Sequence, residues 1–157
     1  MEGSRRGRER SISPGKRLFY SYSRRDEALR DELETHLKIL QHGGLIDAWY
    51  DRQIEAGDDW KESIDQELDS ADIILLLVSA DFIASEYCYK KEMTKALQRH
   101  EEGEARVIPI ILRDVNWSSA PFGHLQALPK DGKPVTSWHN RDSAWRDVSE
   151  QIAKVLT

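Results

Sequence analysis

The chain of 157 residues contains one cysteine, Cys88. One thiol excludes an intrachain disulfide and a thiolate zinc cluster, and it points to a reducing compartment. Long apolar runs are missing as well. The longest, Ile73–Val78, falls far below the roughly 20 residues a membrane helix needs. The opening residues carry no apolar signal region, so no secretory address is read and a cytoplasmic location is expected. The sequence has no GxGxxG, GxxxxGK[ST] or GxSxG string, which removes the common phosphate-cradling and serine-elbow motifs. Its five histidines, His36, His42, His100, His124 and His139, show no HExxH-like spacing, so no metal ligand set is read from them. Nothing in the order of residues supports a Ser-His-Asp triad, although such triads are defined by geometry rather than order.

What is present begins with charge. The formal net charge is −5, but residues 1–17 hold six Lys/Arg against two Asp/Glu, which leaves −9 on the remainder. An acidic body argues against a nucleic-acid-binding face. The segment from Arg5 to Arg10 reads as a solvated tail rather than a contact for nucleic acid or membrane. Residues 1–15, rich in Arg, Ser and Gly, are read as a flexible basic leader, and 16–157 as a single domain long enough to bury its own core.

Along that domain, hydrophobic periodicity alternates between strand and helix. Leu18–Tyr22 predicts a short strand. Asp26–Leu40 predicts a helix with Leu29, Leu33, Leu37 and Leu40 on one face, stopped by Gly43-Gly44. Ile46–Tyr50 predicts a second strand and Asp51–Asp59 a polar loop carrying Gly57. Trp60–Leu68 predicts a second helix with Asp59 as its N-cap. Ile73–Val78 is continuously apolar, as a strand buried on both faces must be. A third helix is predicted from Ser85 to about His100 and a fourth strand over Val107–Leu112. The proline of that strand, Pro109, belongs at a margin or bulge because it cannot donate to a ladder. Val135–Trp138 predicts a fifth strand, and Arg141–Leu156 a last helix with Trp145, Val148, Ile152 and Val155 inward. The alternation implies an α/β fold of the flavodoxin-like, doubly wound kind, with a five-stranded parallel sheet and helices on both faces.

Ligands of open α/β sheets bind beyond the carboxyl ends of the strands. Three stretches fall there: Tyr22-Ser23-Arg24-Arg25, Asp51–Asp59, and Ser79–Glu92. In the third helix Tyr89, Met93, Ala96 and Leu97 make an apolar stripe. At about 100° per residue, Glu92 lies roughly 80° from the centre of that stripe. It therefore stands at the edge between core and solvent near the helix start. The position suits a carboxylate lining a crevice, and equally a solvated glutamate paired with Lys91 or Lys95. Cys88 reads as a small, half-buried thiol.

Four stretches, in order and on these elements, resemble the TIR (Toll/interleukin-1 receptor) domain family, its bacterial type most of all. Leu18-Phe19-Tyr20-Ser21-Tyr22-Ser23 is similar to the opening strand. Trp49-Tyr50-Asp51 through Gly57 is similar to the second strand and its glycine-bearing loop. Ser70–Phe82 is similar to the third strand and its serine-ended exit, and Ser85–Glu92 to the helix that bears a catalytic glutamate. The resemblance covers about Lys16 to Leu156. It implies either an enzyme that cleaves NAD+ at the nicotinamide–ribose bond or a non-catalytic adaptor that assembles with other TIR domains.

In the enzymatic branch the glutamate corresponds to Glu92, and NAD+ is the substrate, with no cofactor implied. Where that branch often carries tryptophan, this chain has Cys88. The resemblance further implies substrate contacts. Arg24 and Arg25 suit the pyrophosphate or else stand in solvent, Tyr22 and Trp60 suit nicotinamide or its ribose or else pack the core, and Asp51 is a substrate contact or a turn residue. Ser23, Asp51, Gly57, Ser79 and Cys88 complete the surroundings. The loop that carries Gly57 is also where family members contact each other, so self-association is expected to raise activity. The family is usually coupled to a sensor that drives clustering, and bacterial members act in defence or cell death. A phosphoacceptor receiver domain shares the sheet order, but it needs an acidic residue where the third strand ends, and Ser79 stands there.

Overall fold

The four strands follow from four short apolar segments that cannot bury both faces alone. The computed structural model describes residues 15–54, 62–85 and 91–157. Among them the elements run β1 (Lys16–Ser23), a 3-10 turn (Arg24–Asp26), α1 (Glu27–His42), β2 (Ile46–Ile54), α2 (Glu62–Ser70), β3 (Ile73–Val78), α3 (Ala80–Ala84), α4 (Lys91–Glu101), β4 (Arg106–Ile111) and α5 (Arg141–Leu156). The strands form one parallel sheet in the order β2-β1-β3-β4. The chain returns past β1 to build the second half, so the order reverses between β1 and β3. This is an α/β arrangement consistent with the flavodoxin-like class.

Alternation along the strands divides the core in two. Leu18, Tyr20 and Tyr22 of β1 pack with Leu29, Leu33 and Leu37 of α1 and with Trp145, Val148 and Ile152 of α5. Phe19 of β1 faces the other way, with Ile64 and Leu68 of α2, Met93 and Ala96 of α4, and Phe82 of α3. Every residue of β3 is buried, as a strand covered on both faces requires. Gly43 caps α1 and Gly44 takes φ +82°. Two bonds complete the stop: Gly44 N–H donates to Gln41 O at 3.0 Å and Leu45 N–H to Leu40 O at 3.0 Å. This is a Schellman ending, and it needs a left-handed residue where glycine carries no steric cost.

The fifth strand expected over Val135–Trp138 is not formed. Val135–Ser137 is a 3-10 turn, closed by Ser137 N–H to Pro134 O at 2.9 Å and Trp138 N–H to Val135 O at 3.3 Å. The edge of β4 offers little ladder to extend. Val107 N–H is taken by His100 Nδ1 at 3.0 Å, Pro109 has no N–H, and Ile111 N–H donates to Leu128 O at 2.8 Å. A single Ile110–Leu128 bridge occupies the fifth position. Pro109 lies inside β4 without a bulge, paired in register with Leu76. It is tolerated because its nitrogen faces that outer edge, as does its carbonyl, which accepts from Leu128 N–H.

Two further boundaries differ. β2 runs on to Ile54, so Asp51 is a strand residue rather than the start of a loop. Ser85 is the C-cap of the five-residue α3, not the start of the long helix. The expected leader up to Pro14, the cap Asp59, and Gly57, Trp60, Tyr87, Cys88 and Tyr89 lie outside the described residues.

Candidate functional site

β2 brings alternating side chains to opposite faces of the sheet as it nears its carboxyl end. Tyr50 stacks on Phe19, ring centroids 5.4 Å apart, on the side of α2 and α4. Arg52, two residues on, points the same way and pairs in register with Ser21. Its Nε meets Glu92 Oε1 at 3.1 Å and Oε2 at 3.3 Å, and its Nη1 donates to Gln53 O at 2.9 Å. Glu92, in the first turn of α4, is only 3% exposed, because Met93 and Ala96 of the same helix anchor its inner face in the core. The charge pair is thus buried, with side chains 10% and 4% exposed. The sequence pattern placed Glu92 at the core edge; the structure takes it inside. Lys95 is not its partner: it bonds Asp65 and Asp69 of α2.

Past the register shift near its start, the odd-numbered residues Trp49, Asp51 and Gln53 of β2 lie on the α1 side. Tyr22 O–H donates to Asp51 Oδ2 at 3.2 Å and accepts from Gln53 Nε2 at 3.2 Å. Arg30 of α1 pairs with Asp51 and places its guanidinium 4.7 Å from the Tyr22 ring centre. Burial, and next the Asp51 carboxylate, raise the Tyr22 phenol above its ordinary value. Tyr22 and Asp51 therefore meet each other, but on the face opposite Glu92.

A second charged group lies where β1, β3 and β4 end. Ser79 O–H donates to Asp26 Oδ2 at 2.5 Å, and Ser79 Oγ accepts from Phe82 N–H at 3.2 Å, capping α3. Arg113, just beyond β4, donates from Nε to Asp26 Oδ1 at 2.9 Å and from Nη2 to Asp81 at 2.6 Å. Asp26 is 2% exposed, so its carboxylate sits under a hydroxyl and a guanidinium. Ser23 Oγ accepts from Arg25 N–H at 3.3 Å and starts the 3-10 turn. Arg24 is exposed, and Arg25, also exposed, reaches Asp81 at 3.6 Å.

Of the residues singled out from sequence, the structure groups Ser79 and Arg25 around Asp26 and Asp81, and Tyr22 with Asp51. Glu92 stands with Arg52. Gly57, Trp60 and Cys88 lie outside the described residues. Arg52, Asp26 and Arg113 were not singled out. Arg52 was legible in one respect: it follows Tyr50 at the strand period of two. Asp26 and Arg113 lie 87 positions apart, and no local pattern joins them. A surface cleft lined by Glu32, His36, Trp138 and Arg141 opens between α1 and the start of α5 and contains none of these groups. Among the described residues no cluster of three metal-ligating side chains occurs, and no helix is long and apolar enough to cross a membrane.

A family model described as TIR domain matches residues 18–152. A protein of Sinorhizobium fredii (strain NBRC 101917 / NGR234), named "Uncharacterized protein y4lF", is 54% identical over 135 residues, which is 86% of this chain. The chain spans 42% of the length of that relative.

Proposed function

The chain belongs to the TIR domain family, and on that premise we propose that it is an NAD+ glycohydrolase or cyclase, with Glu92 as its working carboxylate. The observation that carries the reading is the setting of Glu92. It is a buried glutamate in the first turn of α4, held by Arg52 at the carboxyl end of the parallel sheet. That is the edge at which open α/β folds bind ligands.

The chemistry needs one such group. The nicotinamide of NAD+ is already cationic at its ring nitrogen and leaves as a neutral base, so the protonation that ordinary glycosides require is unnecessary. The C1′–N bond breaks with both electrons going to nicotinamide. Positive charge then builds on the ribose, and a fixed carboxylate stabilises it. Water adds at C1′ and releases a proton to give ADP-ribose; an internal nucleophile of the same molecule gives a cyclic product. Arg24 and Arg25, exposed beside the end of β1, are suited to the pyrophosphate. Activity is expected to depend on self-association, with a neighbouring copy completing the site, and on a coupled sensor. A role in bacterial defence or cell death follows from the same reading.

One observation favours a second reading, that of a non-catalytic TIR–TIR adaptor. The Glu92 carboxylate is covered and engaged by Arg52, as a purely structural pair would be. The two readings separate on nicotinamide release from NAD+, measured over a range of protein concentrations with a crowding agent. Release that rises faster than linearly with concentration supports the enzyme and its assembly. Strict proportionality removes the requirement for assembly. Silence from protein shown by light scattering to be assembled favours the adaptor.

A further inference from the structure

We propose that Arg52 is the positioning residue of the Glu92 carboxylate, fixing its orientation for the ribose; the inference rests on the NAD+-cleaving reading. Packing alone does not explain this pair. A guanidinium and a carboxylate have both been taken out of water. Buried pairs of this kind often give no more stability than apolar residues of equal volume. What such a pair does supply is a fixed geometry.

The geometry here is tightly determined. Arg52 lies on a strand in register with Ser21, so its Cα cannot slide without disturbing the ladder. Its Nη1 is tied to the carbonyl of the next residue, which sets the plane of the guanidinium. Its Nε then faces both oxygens of Glu92, at 3.1 and 3.3 Å, and so bisects the carboxylate rather than gripping one end. From the other side, Glu92 belongs to a helix anchored by Met93 and Ala96. The cation one turn further along α4, Lys95, is engaged by Asp65 and Asp69 of α2, and Arg99 is turned to the carbonyls of Leu68 and Ala71. Among the described residues Arg52 is the strand-borne cation that meets both carboxylate oxygens, and it sets where they point. A lysine at this position would keep the charge but not the fork, since an ammonium is a point donor on a flexible stem.

The test compares nicotinamide release by wild type, Arg52→Lys and Arg52→Gln, each shown to be folded by circular dichroism and assayed at the concentration of greatest wild-type activity. Positioning predicts a fall in kcat of about 10- to 100-fold in both variants with KM for NAD+ changed less than threefold, because misplacing a reacting group acts on the chemical step. It also predicts that the acidic limb of the kcat–pH profile moves to higher pH in Arg52→Gln, where the opposing charge is gone, and stays near wild type in Arg52→Lys. A structural role alone lowers melting temperature and moves neither readout. Folded variants with wild-type kcat and an unmoved limb therefore overturn the assignment of Arg52, while leaving Glu92 in place. Wild-type protein shown by light scattering to be assembled, yet without nicotinamide release, overturns the NAD+ reading and this inference with it. If Arg52→Gln fails to fold, Arg52→Lys decides: wild-type kcat in that variant contradicts positioning, and reduced kcat at unchanged KM supports it.

Discussion

Tyr22 and Glu92 stand on opposite faces of the sheet: Tyr22 in the core under α1, Glu92 against Arg52 on the side of α4. Sequence reasoning joined them because both lie near strand ends, but the alternation of β2 separates Asp51, which meets Tyr22, from Arg52, which meets Glu92. Tyr22→Phe is expected to cost about 1 kcal/mol, the net worth of an ordinary hydrogen bond, and to leave nicotinamide release per folded molecule within twofold of wild type. The raised phenol value adds a pH signature. A folded value above the unfolded one means that this contribution is present below about pH 10 and is lost as pH rises through the folded value. Thermal unfolding from pH 8 to 11 should show that alkaline loss in wild type and less of it in Tyr22→Phe.

Asp26 and Arg113 give an asymmetric prediction. Asp26 is almost completely buried, whereas the Arg113 side chain is 37% exposed and also bonds Asp81. Removing the arginine leaves a buried carboxylate with Ser79 as its remaining partner in this group, and an uncompensated buried charge costs roughly 3 kcal/mol or more. Removing the acid leaves an arginine that still has Asp81 and solvent. Urea unfolding should therefore find Arg113→Ala more destabilised than Asp26→Asn. The reverse order would mean that the carboxylate is stabilised by something other than Arg113.

Glu32 ties α1 to α5. It accepts from Arg141 Nε at 3.0 Å and from Trp145 Nε1 at 2.9 Å. Burial alone would raise its carboxyl, but the bonds from Arg141 and Trp145 outweigh that and lower it below the usual glutamate range. For a depressed carboxyl the stabilisation is present above the unfolded value, about 4.3, and is lost as pH falls from there through the folded value. The melting-temperature gap between wild type and Glu32→Gln, expected to be a few degrees at pH 6, should shrink steadily between pH 5 and 3. A gap independent of pH would remove ionised Glu32 from the account.

The sequence made most of the fold legible where periodicity was strong. The run Ile73–Val78 coincides with β3, and the helix over Arg141–Leu156 with α5. It failed where polar residues are structural. Asp51 and Arg52 look like loop residues because a strand's charged side chains are recognisable only once their partners, Arg30 and Glu92, are in place across the fold. Val135–Trp138 has the composition of a strand, but Pro109 and the His100 cap leave β4 little edge to extend. The place of Glu92 near the start of its helix was legible from periodicity. Its pairing inside the fold was not, because the arginine that meets it lies 40 positions away.

The most direct test of the account is nicotinamide release from NAD+ by wild type and Glu92→Gln, measured side by side on assembled protein of equal fold and melting behaviour. Glutamine preserves an oxygen that can accept from Arg52 while removing the negative charge that stabilises the ribose cation. The account predicts release by wild type and a loss of at least about 100-fold in Glu92→Gln, of the order found when one electrostatic stabiliser is removed. Equal release by both proteins would contradict it, because the carboxylate would then have no part in the chemistry.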